Sequence, residues 1–111
     1  MEIATREFKR STVVEVSGRV DSATAPQLAA VLDDLMEQGQ YNIVLDLSDT
    51  DFISSAGLRV LIDTQKTCQR LNRGELALAN VPEPIWKSFD LAGFVPLFSF
   101  YDDTMEAVGS F

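Results

Sequence analysis

The chain has 111 residues and a formal charge of −8, from nine basic and seventeen acidic side chains. That length fits one domain, 1–111, and its apolar share of 46% is ordinary for a packed core, which excludes a disordered or low-complexity chain. A single cysteine, the absence of histidine and a pI near 4.3 exclude a disulfide framework, a thiolate zinc site, histidine-based hydrolase chemistry and attraction to nucleic acid or anionic lipid.

Glu2 to Phe8 and Thr12 to Ser17 read as two strands, the second rich in β-branched residues, joined by a polar turn at Lys9 to Ser11. Gly18 is expected to end the second strand. Thr24 and Gln27 have the spacing of a capping box, with Pro26 tolerated in the first turn. Leu28, Val31, Leu32, Leu35 and Met36 then follow a helical period, and Gly39 closes that helix. Tyr41 to Leu47 is a near-continuous apolar run, as in a strand covered on both faces. A polar turn is expected at Ser48 to Asp51, then Phe52 and Ile53. A second helix should run from Leu58 to about Leu71, burying Leu58, Leu61, Ile62 and Cys68, with Arg59, Asp63, Lys66 and Arg70 outside. Gly74 stops it. Glu75 to Ala79 is another buried strand, Pro82 to Ala92 a short helix, and Leu97 to Phe100 a last strand. Asp102 to Val108 forms a terminal helix capped by Asp102 or Asp103. A hairpin followed by alternating helices and strands implies an α/β fold with a mixed sheet. The N-terminus has no signal-like apolar run and no segment nears the ~20 apolar residues of a membrane span, so a soluble, cytoplasmic chain without membrane insertion is expected.

The segment from Asp46 to Arg59 holds the most chemistry. A buried strand leads through an acidic stretch to Ser54 and Ser55 at the mouth of a helix, where unpaired N–H groups and the helix dipole favour a negative group. Two readings stand: a serine that caps the helix, or a serine that is phosphorylated beside Asp49 and Asp51. Gly57 permits either a close approach of backbone or a simple tight turn. The nucleophile-elbow and phosphate-loop patterns are both absent. Asp46, Asp49 and Asp51 could be imagined as ligands of a hard metal, but a solvated turn is the better reading, so no metal is expected. Asp21 either braces a turn or faces the same surface as the serines. The aromatic-rich stretch from Phe89 to Tyr101 is core packing in the main, with Trp86, Phe94 and Val95 as candidates for an exposed apolar patch.

Gly18 to Asp21, Ile43 to Leu47, Phe52 to Arg59, and Leu91 to Phe94 with Leu97 to Asp102 together resemble a STAS domain of the stand-alone anti-sigma factor antagonist type. The resemblance spans essentially the whole chain. It implies a four- to five-stranded sheet flanked by about four helices, no catalysis, no cofactor and a role in partner switching. In that scheme the unmodified antagonist binds an anti-sigma factor that is also a serine kinase. The kinase uses ATP to phosphorylate a serine at the start of the second helix, which releases the antagonist, and a metal-type serine phosphatase resets it. Alignment on Gly57 and Leu58 puts Ala56 at the usual acceptor position, so Ser55 is the first-choice acceptor and Ser54 the second. Asp21, Ser22, Asp51, Phe52, Gly57, Leu58 and Arg59 are the implied partner-binding residues. Two other readings are a small non-switching STAS subunit of a lipid-transport ABC system, and a small-ligand carrier using Phe94 to Phe100.

Overall fold

The computed structural model describes residues 1–70 and 73–111. In chain order these form β1 (Glu2–Glu7), β2 (Thr12–Val20), α1 (Ala25–Glu37), β3 (Asn42–Ile53), α2 (Ser55–Gln69), β4 (Glu75–Ala79), α3 (Glu83–Leu91), β5 (Phe100–Tyr101) and α4 (Thr104–Gly109). The expected end of α2 at Leu71 lies outside the described residues.

The strands form one sheet in the order β1-β2-β3-β4-β5. β1 and β2 are an antiparallel hairpin, whereas β2, β3, β4 and β5 are mutually parallel. Parallel neighbours need a crossover, and α1, α2 and α3 supply the three. Because side chains alternate across a strand, Val14, Val16, Ile43, Leu45, Leu76 and Leu78 face one side, under Leu28 and Leu32 of α1, Leu61 of α2 and Phe89 of α3. Val13, Val44 and Ala79 face the other, where Ala107 of α4 covers them with Phe8, Tyr101 and Phe111. The aromatic segment is core, as expected: Phe89 is fully buried and meets Phe98 edge-on at 5.4 Å between ring centroids.

Several boundaries differ from the sequence reading. Gly18 does not end β2. It sits within the strand at φ +90°, beside a register shift, and the chain continues in ladder to Val20. The polar turn at Ser48 to Asp51 is also absent: β3 runs unbroken to Ile53, its second half paired with Ser17 to Val20. The reason is non-local. β4 ends at Ala79, opposite Asp46, so β3 beyond that point has one neighbour and carries exposed Ser48, Asp49, Asp51 and Phe52 beside inward Thr50 and Ile53. The last strand shifts as well, because Val95 to Leu97 is a turn of 3-10 helix and pairing begins only near Ser99.

Candidate functional site

Because β2 and β3 are parallel, their C-terminal ends lie side by side. Arg19 is in register with Phe52 and Val20 with Ile53, and the Ser54 N–H donates to the Val20 carbonyl at 2.8 Å. The segments that follow, Asp21–Ser22 and Ser54–Ser55, therefore leave the sheet at one end. That is where parallel α/β sheets present their loops. Arg19, absent from the sequence-derived set, places its guanidinium 4.3 Å from the centroid of the exposed Phe52 ring and 3.8 Å from Asp21 Oδ2. Its neighbours follow from strand register, which no local pattern discloses.

Asp21 builds the entry to α1. Its Oδ1 accepts the N–H groups of Ala23 at 3.0 Å and Thr24 at 3.1 Å, holding the carboxyl below its ordinary value, with the Thr24 N–H the larger cause. The expected capping box does not form. Thr24 Oγ1 instead donates to the Arg19 carbonyl at 2.9 Å and accepts from the Asp21 N–H at 2.9 Å, while Asp21 takes the role of local anchor.

The two serines differ. Ser54 is the extended residue before α2, and its hydroxyl oxygen accepts the Gly57 N–H at 3.3 Å, which makes it the helix cap. Ser55 is the first helical residue, and it is exposed. α2 thus begins three residues before the Leu58 expected from periodicity. Gly57 is buried: a Cβ there would stand 2.8 Å from Cγ1 of both Ile53 and Val20. The glycine lets the helix mouth sit hard against the strand ends. Leu58 is also buried, while Arg59, Asp51 and Ser22 are exposed.

Beside Ser55 lies a groove of about 510 Å³ lined by Ala56, Leu58, Arg59, Ile62, Ala92 and Phe94. Its walls come from α2 and the end of α3, so Ile62 and Ala92 join the site only through tertiary packing. Trp86 is 38% exposed, and Phe94 and Val95 are half-buried against the core; the fully surface-borne apolar residue of this region is Leu91.

The acidic trio does not form the solvated turn expected for it. Asp46 is buried, its Oδ1 accepting from the Ser48 N–H at 3.0 Å and Asn80 Nδ2 at 3.3 Å, and its Oδ2 from Thr104 Oγ1 at 3.1 Å. Asp49 and Asp51 are exposed on β3. Among the described residues, no helix is long and apolar enough to cross a membrane.

These features define a class of α/β domain: a mixed five-stranded sheet opened by a hairpin, with a serine-capped helix at the exit of its central strand. The chain belongs to the STAS domain family, whose model matches residues 2–107. It is 35% identical over 96 residues to BtrV of Bordetella bronchiseptica, named as a candidate anti-sigma factor antagonist, covering 86% of this chain and 82% of that one. The fold is shared with an anti-sigma factor antagonist from Mycobacterium paratuberculosis, at a TM-score of 0.88 and 23% identity over 98% of this chain and 92% of that one. It is shared also with the Bacillus cell fate determinant SpoIIAA in its phosphorylated form, at a TM-score of 0.77 and 19% identity over 98% of each chain.

Proposed function

We propose that this chain is an anti-sigma factor antagonist that works by partner switching, binding an anti-sigma serine kinase when unmodified and leaving it when phosphorylated on Ser55. The observation that carries the reading is the exposed Ser55 on the first turn of α2, at the rim of the groove, beside a Ser54 already engaged as the cap. A phosphate on Ser55 meets unpaired N–H groups at the helix start, so the fold itself tolerates it. The same group adds about −1.5 to −2 charges to a face that exposes Asp51 and Ser22 and borders Asp21. A partner that must dehydrate the groove then has to bury a dianion, which opposes binding.

In this scheme Asp21, Ser22, Asp51, Phe52 and Arg59 form the rim that a partner touches, Leu58 forms the groove wall, and Gly57 acts through its backbone. The chain is a binding module and not an enzyme; ATP belongs to the kinase, and a serine phosphatase restores the free hydroxyl. The working compartment is the cytoplasm, where both partners and their sigma factor operate.

The test is phosphopeptide mass spectrometry on wild type, Ser55→Ala and Ser54→Ala after incubation with the cognate kinase and ATP. The expected result is phosphate on Ser55, abolished in Ser55→Ala and reduced less in Ser54→Ala. Ser55→Asp is expected to weaken kinase binding by about tenfold, less than the full phosphate does, because it carries one charge. Phosphate found on Ser54 alone reverses the assignment and leaves the switch. Phosphate on neither serine favours the non-switching subunit of a lipid-transport ABC system, a reading that Ala56 supports because it puts no hydroxyl at the family's usual acceptor position.

A further inference from the structure

The opposite end of the sheet carries a different chemistry. The turn between β1 and β2, the segment between α1 and β3, and Arg73 enclose a cleft of about 200 Å³. Lys9, Arg10 and Arg73 line it, three of the nine cations in a chain whose net charge is −8. None of the three enters an ion pair among the described residues. Arg73 is held over the Tyr41 ring, 5.4 Å from its centroid. Glu7 is the one carboxylate on the lining, and it accepts a long hydrogen bond from Gln40 Nε2 at 3.4 Å.

Ser11 adds an unpartnered hydroxyl to this charge. It lines the same cleft, is 6% exposed, and its Oγ is the one buried side-chain oxygen or nitrogen among the described residues with no hydrogen-bond partner. An unmade buried hydroxyl is costly, and such groups call for a specific explanation. A spare donor beside three uncompensated cations is complementary to an oxyanion, which accepts charge-assisted hydrogen bonds from all of them. The cleft volume is several times the ~30 Å³ share of one water, so it admits a group larger than a single solvent molecule.

We infer that this cleft binds a small phosphate-class oxyanion, inorganic phosphate or the head of a phosphomonoester, with Ser11 Oγ donating and Lys9, Arg10 and Arg73 neutralising its charge. The site lies at the other end of the strands from Ser55, so it stands or falls separately from the partner switch.

The experiment is a titration of the full chain with inorganic phosphate, followed by amide NMR at fixed ionic strength with chloride as the balancing anion. Saturable shifts are expected at residues 8–12, 39–42 and 73. Ser11→Ala should weaken binding by about tenfold while the anion-free protein keeps or raises its Tm, since the orphan hydroxyl is gone. Arg10→Glu, a surface change that leaves the core untouched, should abolish binding. A parallel arm with glycerol 3-phosphate and with phosphatidic acid vesicles assigns the source: shifts with the first alone mean a soluble phosphomonoester, and co-sedimentation with the vesicles means a lipid headgroup. Shifts that fail to saturate, that chloride reproduces, or that persist unchanged in Ser11→Ala overturn the site.

Discussion

Asp21 shows how one side chain can set the start of an element. Its carboxylate oxygen accepts two successive backbone N–H groups ahead of α1, and protonation weakens both bonds. The folded carboxyl titrates below its ordinary value of 3.8. Its contribution is therefore complete above the unfolded value and disappears as pH falls through the lower folded one. Asp21→Asn should lower Tm at pH 7, and the gap to wild type should close below about pH 4, as followed by circular dichroism. Gly57 acts by size instead. Gly57→Ala forces Ile53 and Val20, both buried, away from the helix mouth. A cost of about 1–3 kcal/mol in urea unfolding is expected, the usual penalty of overpacking. Ser54, one turn away, would lose its cap geometry in the same step.

At the scale of elements, buried amides and carboxylates tie the pieces together. Gln65 falls on the same helical stripe as Leu58, Leu61, Ile62 and Cys68, and it is 3% exposed. Its Nε2 donates to the carbonyls of Leu76 at 3.1 Å and Leu97 at 3.0 Å, and its Oε1 accepts the Leu76 N–H at 2.7 Å. One side chain thereby fastens α2 to β4 and to the 3-10 turn before β5. Gln65→Leu leaves backbone groups of Leu76 and Leu97 without partners and should cost about 2–3 kcal/mol, measured by denaturant midpoint. Asp46 performs the matching task on the other side, tying β3 to Asn80 and to Thr104 at the start of α4. Thr104 Oγ1 also accepts from Asn80 Nδ2 at 3.0 Å, which closes the triangle. Asp46→Ala should free α4 first, visible as faster amide exchange in residues 104–109 while the central strands stay protected.

Across the whole molecule, charge separates by end and packing by layer. The C-terminal ends of β2 and β3 carry Asp21, Asp51 and the two serines, while Lys9, Arg10 and Arg73 gather at the opposite end. Between them lies the buried apolar core. Cys68 of α2 lies fully buried with its Sγ 3.8 Å from Met36 Sδ of α1, and burial pushes its thiol up to about 11. The folded value lies above the ordinary 9.0, so stability from the neutral thiol is whole below pH 9 and is lost as pH rises through about 11. A disulfide reagent at pH 8 should leave the folded protein unlabelled and react fully once urea is added. Cys68→Ala should flatten the alkaline end of the stability profile.

The elements whose residues carry their own pattern were legible in the chain alone. α1 follows a 3.6-residue apolar stripe ending at Gly39, β4 is an apolar run, Asp103 caps α4 through the Glu106 N–H at 2.7 Å, and the paired serines mark a helix mouth. Capping and periodicity are local, so composition and spacing determine them. Strand ends were not legible, because pairing depends on a distant neighbour. Ser48 to Asp51 look like a turn until β2 is set beside them, and Gly18 looks like a stop until its strand proves to bulge and continue. The same holds for side chains whose partners are remote. Asp46 reads as part of a solvated turn, Thr24 reads as a cap, and Gln65 carries no local signal at all. Packing supplied Asn80 and Thr104 to the first and backbone groups to the other two. The serine pair shows both contributions at once: residue type and spacing put two hydroxyls at the helix mouth, and only the fold decided that Ser54 is spent on the Gly57 N–H while Ser55 faces solvent, because the cap geometry depends on where β3 leaves the sheet.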